Sequence, residues 1–205
     1  RAPLYAGLAM GRSPVCTRLI ARSSVRIWFG YDRLGHSLDT PSDIDKLFRL
    51  ALGDFTAARN SLVAELRKAG RTAEAEQVGL LQKPSIPAWV VNQLYWRNRK
   101  AFERLIAGAD RFRAAQASTL AGTPEDVRRP FEAHRKALLH LTELSTRILR
   151  KAGHRTNPDI MRRVTKTLEA ISTFGSHPGA PPAGRLTDDV EPPGFETLAA
   201  LVPRV

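Results

Sequence analysis

Lys83-Pro84-Ser85-Ile86-Pro87-Ala88-Trp89-Val90-Val91-Asn92-Gln93-Leu94-Tyr95-Trp96 is the stretch from which the fold is read. Ser85 is placed to cap a helix, because its hydroxyl can accept a backbone amide of the first turn. Pro87 then falls in that turn, where the amide it lacks would have no intrahelical acceptor anyway. The spacing predicts a helix to about Asn98. On it Trp89, Asn92, Gln93 and Trp96 stand at i, i+3, i+4 and i+7, which gathers two indoles and two carboxamides on one face, while Val90 and Leu94 lie on the adjoining face.

Working outward, the pattern stays helical. Ser42 followed three residues later by Asp45 has the form of a capping box and opens a short first helix. A second helix over 54–69 carries the stripe Phe55, Ala58, Leu62, Leu66, Ala69 and stops at Gly70. A short third helix covers 72–81. Past the quoted stretch, a helix over 100–120 carries Phe102, Leu105, Ile106, Ala109 and Phe112 and closes at Gly122. A long helix is read from Thr123-Pro124 to Ala152, with Thr123 as cap, Gly153 as stop and a bend at Pro130. A last helix opens at Asn157-Pro158 and carries Ile160, Val164, Leu168 and Ile171. No segment shows sustained two-residue alternation. The expectation is an all-α fold: an irregular bundle of six to seven helices over 42–174.

The composition agrees. Of 205 residues 42% are hydrophobic and 25% charged, which is too apolar for a wholly disordered chain. No apolar run reaches the roughly 20 residues of a membrane span, so no membrane partner and a cytoplasmic location are expected. The single cysteine, Cys16, excludes an internal disulfide framework and a cysteine-based zinc site.

The ends differ from the middle. Residues 1–41 include six of the basic residues, several serines and no persistent period, and the first residue is Arg rather than Met, with Met10 as an internal candidate start. The segment reads as a weakly ordered or non-native leader, with an organellar transit peptide as the competing reading and a short strand over 25–31 as its one candidate element. Residues 175–205 are rich in Pro and Gly, which block helix propagation, so a weakly packed tail is expected with one short helix over 196–201.

The phrases DIDKLFRLALGDFTAARNSLVAELRKAG, KPSIPAWVVNQLYW and GRLTDDVEPPGF resemble a family of uncharacterised proteins from GC-rich bacteria. The resemblance covers about residues 42–205. It implies a continuation into a charged helix of coiled-coil type through which the protein would oligomerise, and it implies no activity and no catalytic residue.

Two constellations carry chemistry. The Trp89, Asn92, Gln93, Trp96 face is read either as core, with the carboxamides satisfying carbonyls at neighbouring helix ends, or as a groove for a peptide, helix or base. Trp89 is expected to be buried and Trp96 partly accessible, because Trp96 sits where the chain turns polar. The second set is basic. The net charge is +12, and residues 97–166 hold seventeen basic residues against seven acidic ones. Arg128, Arg129, Arg135 and Lys136 on one helix and Arg162, Arg163 and Lys166 on the next would track phosphates if they formed one continuous stripe, and would be a solvated, partly paired face otherwise.

Nothing else has catalytic spacing. His134 and His140 are six residues apart, and no HExxH, phosphate loop or nucleophile elbow occurs. Asp188, Asp189 and Glu191 lack the ligand alternation of a calcium loop and read as a solvated turn. No catalytic, cofactor-binding or metal residue is assigned. The resulting expectation is a non-enzymatic helical interaction or regulatory module with a protein partner. The alternative is a nucleic-acid-associated protein that uses the basic helices 128–166.

Overall fold

The structure, a computed structural model, describes residues 41–122, 126–175 and 180–192. The leader through residue 40, the strand considered at 25–31, the cap at Thr123 and the helix considered at 196–201 lie outside the described residues. Within them the chain is all-α, with seven helices and no strand: α1 (Pro41–Arg49), α2 (Phe55–Lys68), α3 (Thr72–Gly79), α4 (Ile86–Arg97), α5 (Arg99–Leu120), α6 (Arg128–Lys151) and α7 (Pro158–Phe174).

Several ends fall where the sequence puts them, for the reasons it gives. Ser85 Oγ accepts the Ala88 amide at 3.2 Å to cap α4. Asn157 Oδ1 accepts the Ile160 amide at 2.7 Å to cap α7. At the end of α6, Gly153 takes φ 74°, and the His154 amide bonds the Leu149 carbonyl at 3.0 Å while the Gly153 amide bonds that of Arg150 at 3.1 Å. These paired bonds satisfy carbonyls left without intrahelical partners. The end of α2 at Gly70 is built in the same way.

Two expectations about helix starts are corrected. α1 already begins at Pro41, ahead of the expected Ser42 start, and the Asp45 carboxylate accepts Arg185 Nε at 2.6 Å. The long helix begins at Arg128 rather than at Thr123-Pro124, so its 24 residues extend about 36 Å. Pro130 is then the third helical residue, and its missing amide is one of those with no intrahelical acceptor, so no kink is required. Asp126, one residue ahead of the cap position Val127, satisfies the first helical amide by accepting Arg128 N–H at 3.1 Å.

The helices close around α4. Every residue from Pro87 through Leu94 is buried, with Ala88, Val90, Val91 and Leu94 at 0% exposure, so this stretch of α4 is enclosed on all its faces. Leu105 of α5, Leu141 and Leu149 of α6, and Val164, Leu168 and Ile171 of α7 share one core with it. A second, smaller cluster joins Leu47 and Phe48 of α1 to Phe55 and Leu66 of α2 and Ala75 and Val78 of α3. The hairpin of α5 and α6 is tight at Gly108, where an added Cβ would come 3.1 Å from the His134 backbone.

The expectation of a weakly packed tail is corrected for residues 180–192. They form a non-helical strap lying on α4 and α7, with a turn at Ala183–Gly184, a bend at Thr187–Asp188 and Leu186 only 5% exposed. Proline and glycine prevent a helix, yet a non-helical chain can be held by side chains that read its backbone. Burial of Leu186 contributes about 2 kcal/mol. Gly184 is essential to the approach. It has φ +89°, and a Cβ there would lie 2.3 Å from Tyr95 Cδ1.

Gly184→Ala should therefore destabilise the protein by more than Gly153→Ala, whose Cβ meets nothing within 4 Å. The Gly153 change costs about 1 to 2 kcal/mol of backbone strain alone, whereas the Gly184 change adds an overpacking cost of about 1 to 3 kcal/mol. Urea unfolding of both variants measures the difference, and equal losses would mean that the strap does not press on Tyr95.

Candidate functional site

The face read from the sequence does come together, and all of its polar atoms but Gln93 Oε1 are used inside the chain. Asn92 and Gln93 are both at 0% exposure. Asn92 reads the strap in both directions: its Nδ2 donates to the Leu186 carbonyl at 2.8 Å, and its Oδ1 accepts the Leu186 amide at 2.9 Å. Gln93 Nε2 donates to the Phe48 and Leu50 carbonyls at 3.0 and 3.3 Å, at the C-terminal end of α1. Those carbonyls lack helical partners, so the core reading of Gln93 as a helix-end cap is the arrangement seen. Gln93 Oε1 is buried with no hydrogen-bond partner among the described residues.

The two indoles divide as expected. Trp89 is 4% exposed, donates through Nε1 to the Leu50 carbonyl at 2.9 Å, and meets the His154 ring edge-on at 5.7 Å. Trp96 is half-buried and donates through Nε1 to the Gly184 carbonyl at 2.9 Å. The Arg49 guanidinium lies 4.0 Å from its ring centre, and Tyr95 stands against it edge-on at 4.9 Å.

The strap also explains the acidic cluster, which is not a free solvated turn. Asp189 accepts the Ser85 hydroxyl at 2.8 Å and pairs with Arg163, whose pKa is raised chiefly by that hydrogen bond. Glu191 pairs with Lys166. The Ser85 amide donates to the Thr187 carbonyl at 2.9 Å, and the Val190 amide donates to Thr167 Oγ1 at 3.3 Å. These links join positions 23 to 104 residues apart, and no local periodicity announces them. The sole sequence signal was the acidic-turn composition itself, which speaks of charge and says nothing about a partner.

The seven basic residues do not form one stripe. Contacts of Thr142 with Thr165, Thr146 with Met161 and His134 with Ser172 make α6 and α7 antiparallel. Arg162 and Arg163 therefore lie level with about residue 145 of α6, roughly 25 Å along the axis from Arg128 and Arg129. Four of the seven are paired: Arg129 with Asp126 at 3.2 Å, Arg162 with Asp159, Arg163 with Asp189 and Lys166 with Glu191. Arg128, Arg135 and Lys136 are exposed at the other end of the helix pair.

One histidine has a distinctive setting. His134 Nε2 lies 3.1 Å from Ser172 Oγ, but Ser172 is 2% exposed and its hydroxyl donates to the Glu169 carbonyl, so the serine serves packing. Burial, and secondarily the positive Arg113, push the His134 pKa below its ordinary value, against a smaller opposing effect of Glu169. Among the described residues no group of three His, Cys, Asp or Glu side chains could hold a metal, and no helix is long and apolar enough to cross a membrane.

The class that fold and site define is an all-helical bundle whose central helix binds the chain's own C-terminal strap. Comparisons with known protein families, curated proteins and solved structures return no match.

Trp89→Ala should cost about 3 to 5 kcal/mol, as expected for removal of a large packed side chain, and Trp96→Ala less. With Trp28 replaced by Phe, acrylamide should quench only the emission that Trp96→Phe removes. Equal quenching of both indoles would contradict the burial described. For His134 the neutral form is the one favoured by folding. Its contribution is complete above the ordinary pKa of about 6.5 and is lost as pH falls below that value. His134→Gln should flatten the decline in melting temperature between about pH 7.5 and 5.5. An unchanged profile would show that His134 is not involved.

Proposed function

We propose that the protein is a non-enzymatic helical interaction module, a platform that holds other components through its surface. The observation that supports this most is the strap. Six side-chain and backbone links from α1, α4 with its cap Ser85, and α7 hold residues 184–190 in one path, so the domain fixes both the position and the direction of the chain leaving α7. Such rigid presentation suits a module that must hold a partner in one orientation. The reactive-looking groups support the same reading, since Asn92, Gln93 and Ser172 are committed to internal bonds.

The nucleic-acid reading that rests on Arg128, Arg129, Arg135, Lys136, Arg162, Arg163 and Lys166 draws less support, because the set divides between two ends and most of it is paired. If those residues nevertheless contact polyanions, replacing Arg128, Arg129, Arg162 and Arg163 with Ser should lower the salt dependence of binding.

Affinity capture with the longest native form of the chain tests the interaction reading. A discrete protein should be retained at constant stoichiometry and lost when Gly184→Val displaces the strap. Failure of the wild-type chain to retain any protein would contradict the proposal.

A further inference from the structure

The junction of α4 and α5 carries a concentration of cations and rings that the interaction reading does not use. α4 ends at Arg97, the backbone turns at Asn98 and α5 begins at Arg99. Four groups stand in sequence across this elbow: the Arg49 guanidinium 4.0 Å over the Trp96 ring, Trp96 edge-on to Tyr95, and the Arg99 guanidinium 4.3 Å over the Tyr95 ring. Arg97, Lys100 and Arg104 are exposed beside this row and have no ion pair among the described residues. Arg99 does, with Glu103 at 2.7 Å. The elbow thus has five cations and one paired carboxylate, and it is less neutralised than the α6 and α7 set. Next to the row, a hollow of about 350 Å³ is lined by Phe102, Ile106 and Ile171 together with Arg99 and the carboxylates of Glu103 and Asp110, within the size range of small-ligand sites.

From this juxtaposition we infer that the α4–α5 elbow is a contact surface for single-stranded nucleic acid. A guanidinium held over an indole offers a planar, positively charged group of the kind on which an unpaired base stacks. The free ammonium and guanidinium groups of Arg97, Lys100 and Arg104 lie alongside to meet phosphates. Unpaired bases can reach such a platform, whereas a duplex keeps its base faces stacked inside. An acidic peptide would satisfy the cations and leave the stacked guanidinium and the hollow unused. The inference stands apart from the interaction-module proposal and does not rest on it.

The test uses the full chain carrying Trp28→Phe and a fluorescein-labelled 20-nucleotide oligothymidine at low salt. Binding should quench tryptophan emission, because the base stacks on the Arg49 guanidinium that lies over the Trp96 ring while the buried Trp89 does not respond, and Trp96→Phe should remove that signal. The triple change Arg97→Ser, Lys100→Ser, Arg104→Ser should weaken binding at least about tenfold and reduce the salt slope by about 2. The matched change Arg128→Ser, Arg135→Ser, Lys136→Ser should leave binding within about twofold. Melting temperatures of both triples establish that they fold. Absence of binding, equal losses in the two triples, or a duplex binding as tightly as the single strand would each overturn the inference. Polyglutamate binding in place of the oligonucleotide, with sensitivity to the same triple, would assign the elbow to an acidic protein partner instead.

Discussion

Two carboxamides on the fully buried stretch of α4 are the constraint around which the rest of this molecule is arranged. Asn92 and Gln93 on α4 cannot hydrogen-bond to water, and a buried amide left unmade costs about 1 to 3 kcal/mol for each lost group. Gln93 finds its acceptors at the open end of α1, which brings the smaller core of α1, α2 and α3 against the larger one. Asn92 finds a donor and an acceptor together on one residue of a non-helical chain, which is what the strap supplies at Leu186. A helix of the same shape with Leu at both positions would bury as much surface but would specify neither neighbour.

From that pair the remaining contacts follow as a series. With Leu186 fixed, Gly184 comes under Trp96 and Tyr95, Arg185 reaches Asp45 and Asp189 falls between Ser85 and Arg163. Each ion pair is partly exposed and contributes little alone. Their value lies in register, because a shift of one residue along the strap would turn Leu186 out of its pocket and leave Asn92 unpaired.

Much of the helical framework was legible in the sequence because its signals are local. Ser85 with Pro87, Asn157 with Pro158, and the glycines 70, 122 and 153 mark their ends through capping and positive φ, which depend on neighbours within a few residues. The Trp89, Asn92, Gln93, Trp96 face was legible for the same reason, as was the greater exposure of Trp96. The strap was not, because its partners lie 23 to 140 residues away and composition reports only that a helix is unfavourable there. The start of α6 was misread because Thr123-Pro124 and Asp126 ahead of Pro130 offer two competing first turns. The basic residues were counted correctly but not located, since antiparallel packing separates positions that look continuous along the chain.

Native-state hydrogen exchange at the Leu186 amide tests this dependence of the fold on α4 most directly. Bonded to Asn92 Oδ1 and enclosed, that amide should exchange only in the global unfolding of the domain, with a protection free energy matching the Leu94 amide of α4. Asn92→Ala should abolish its protection while α4 stays protected. A Leu186 amide exchanging at the rate of an unstructured chain in the wild type would contradict the account, because the strap would then not be bound by the central helix.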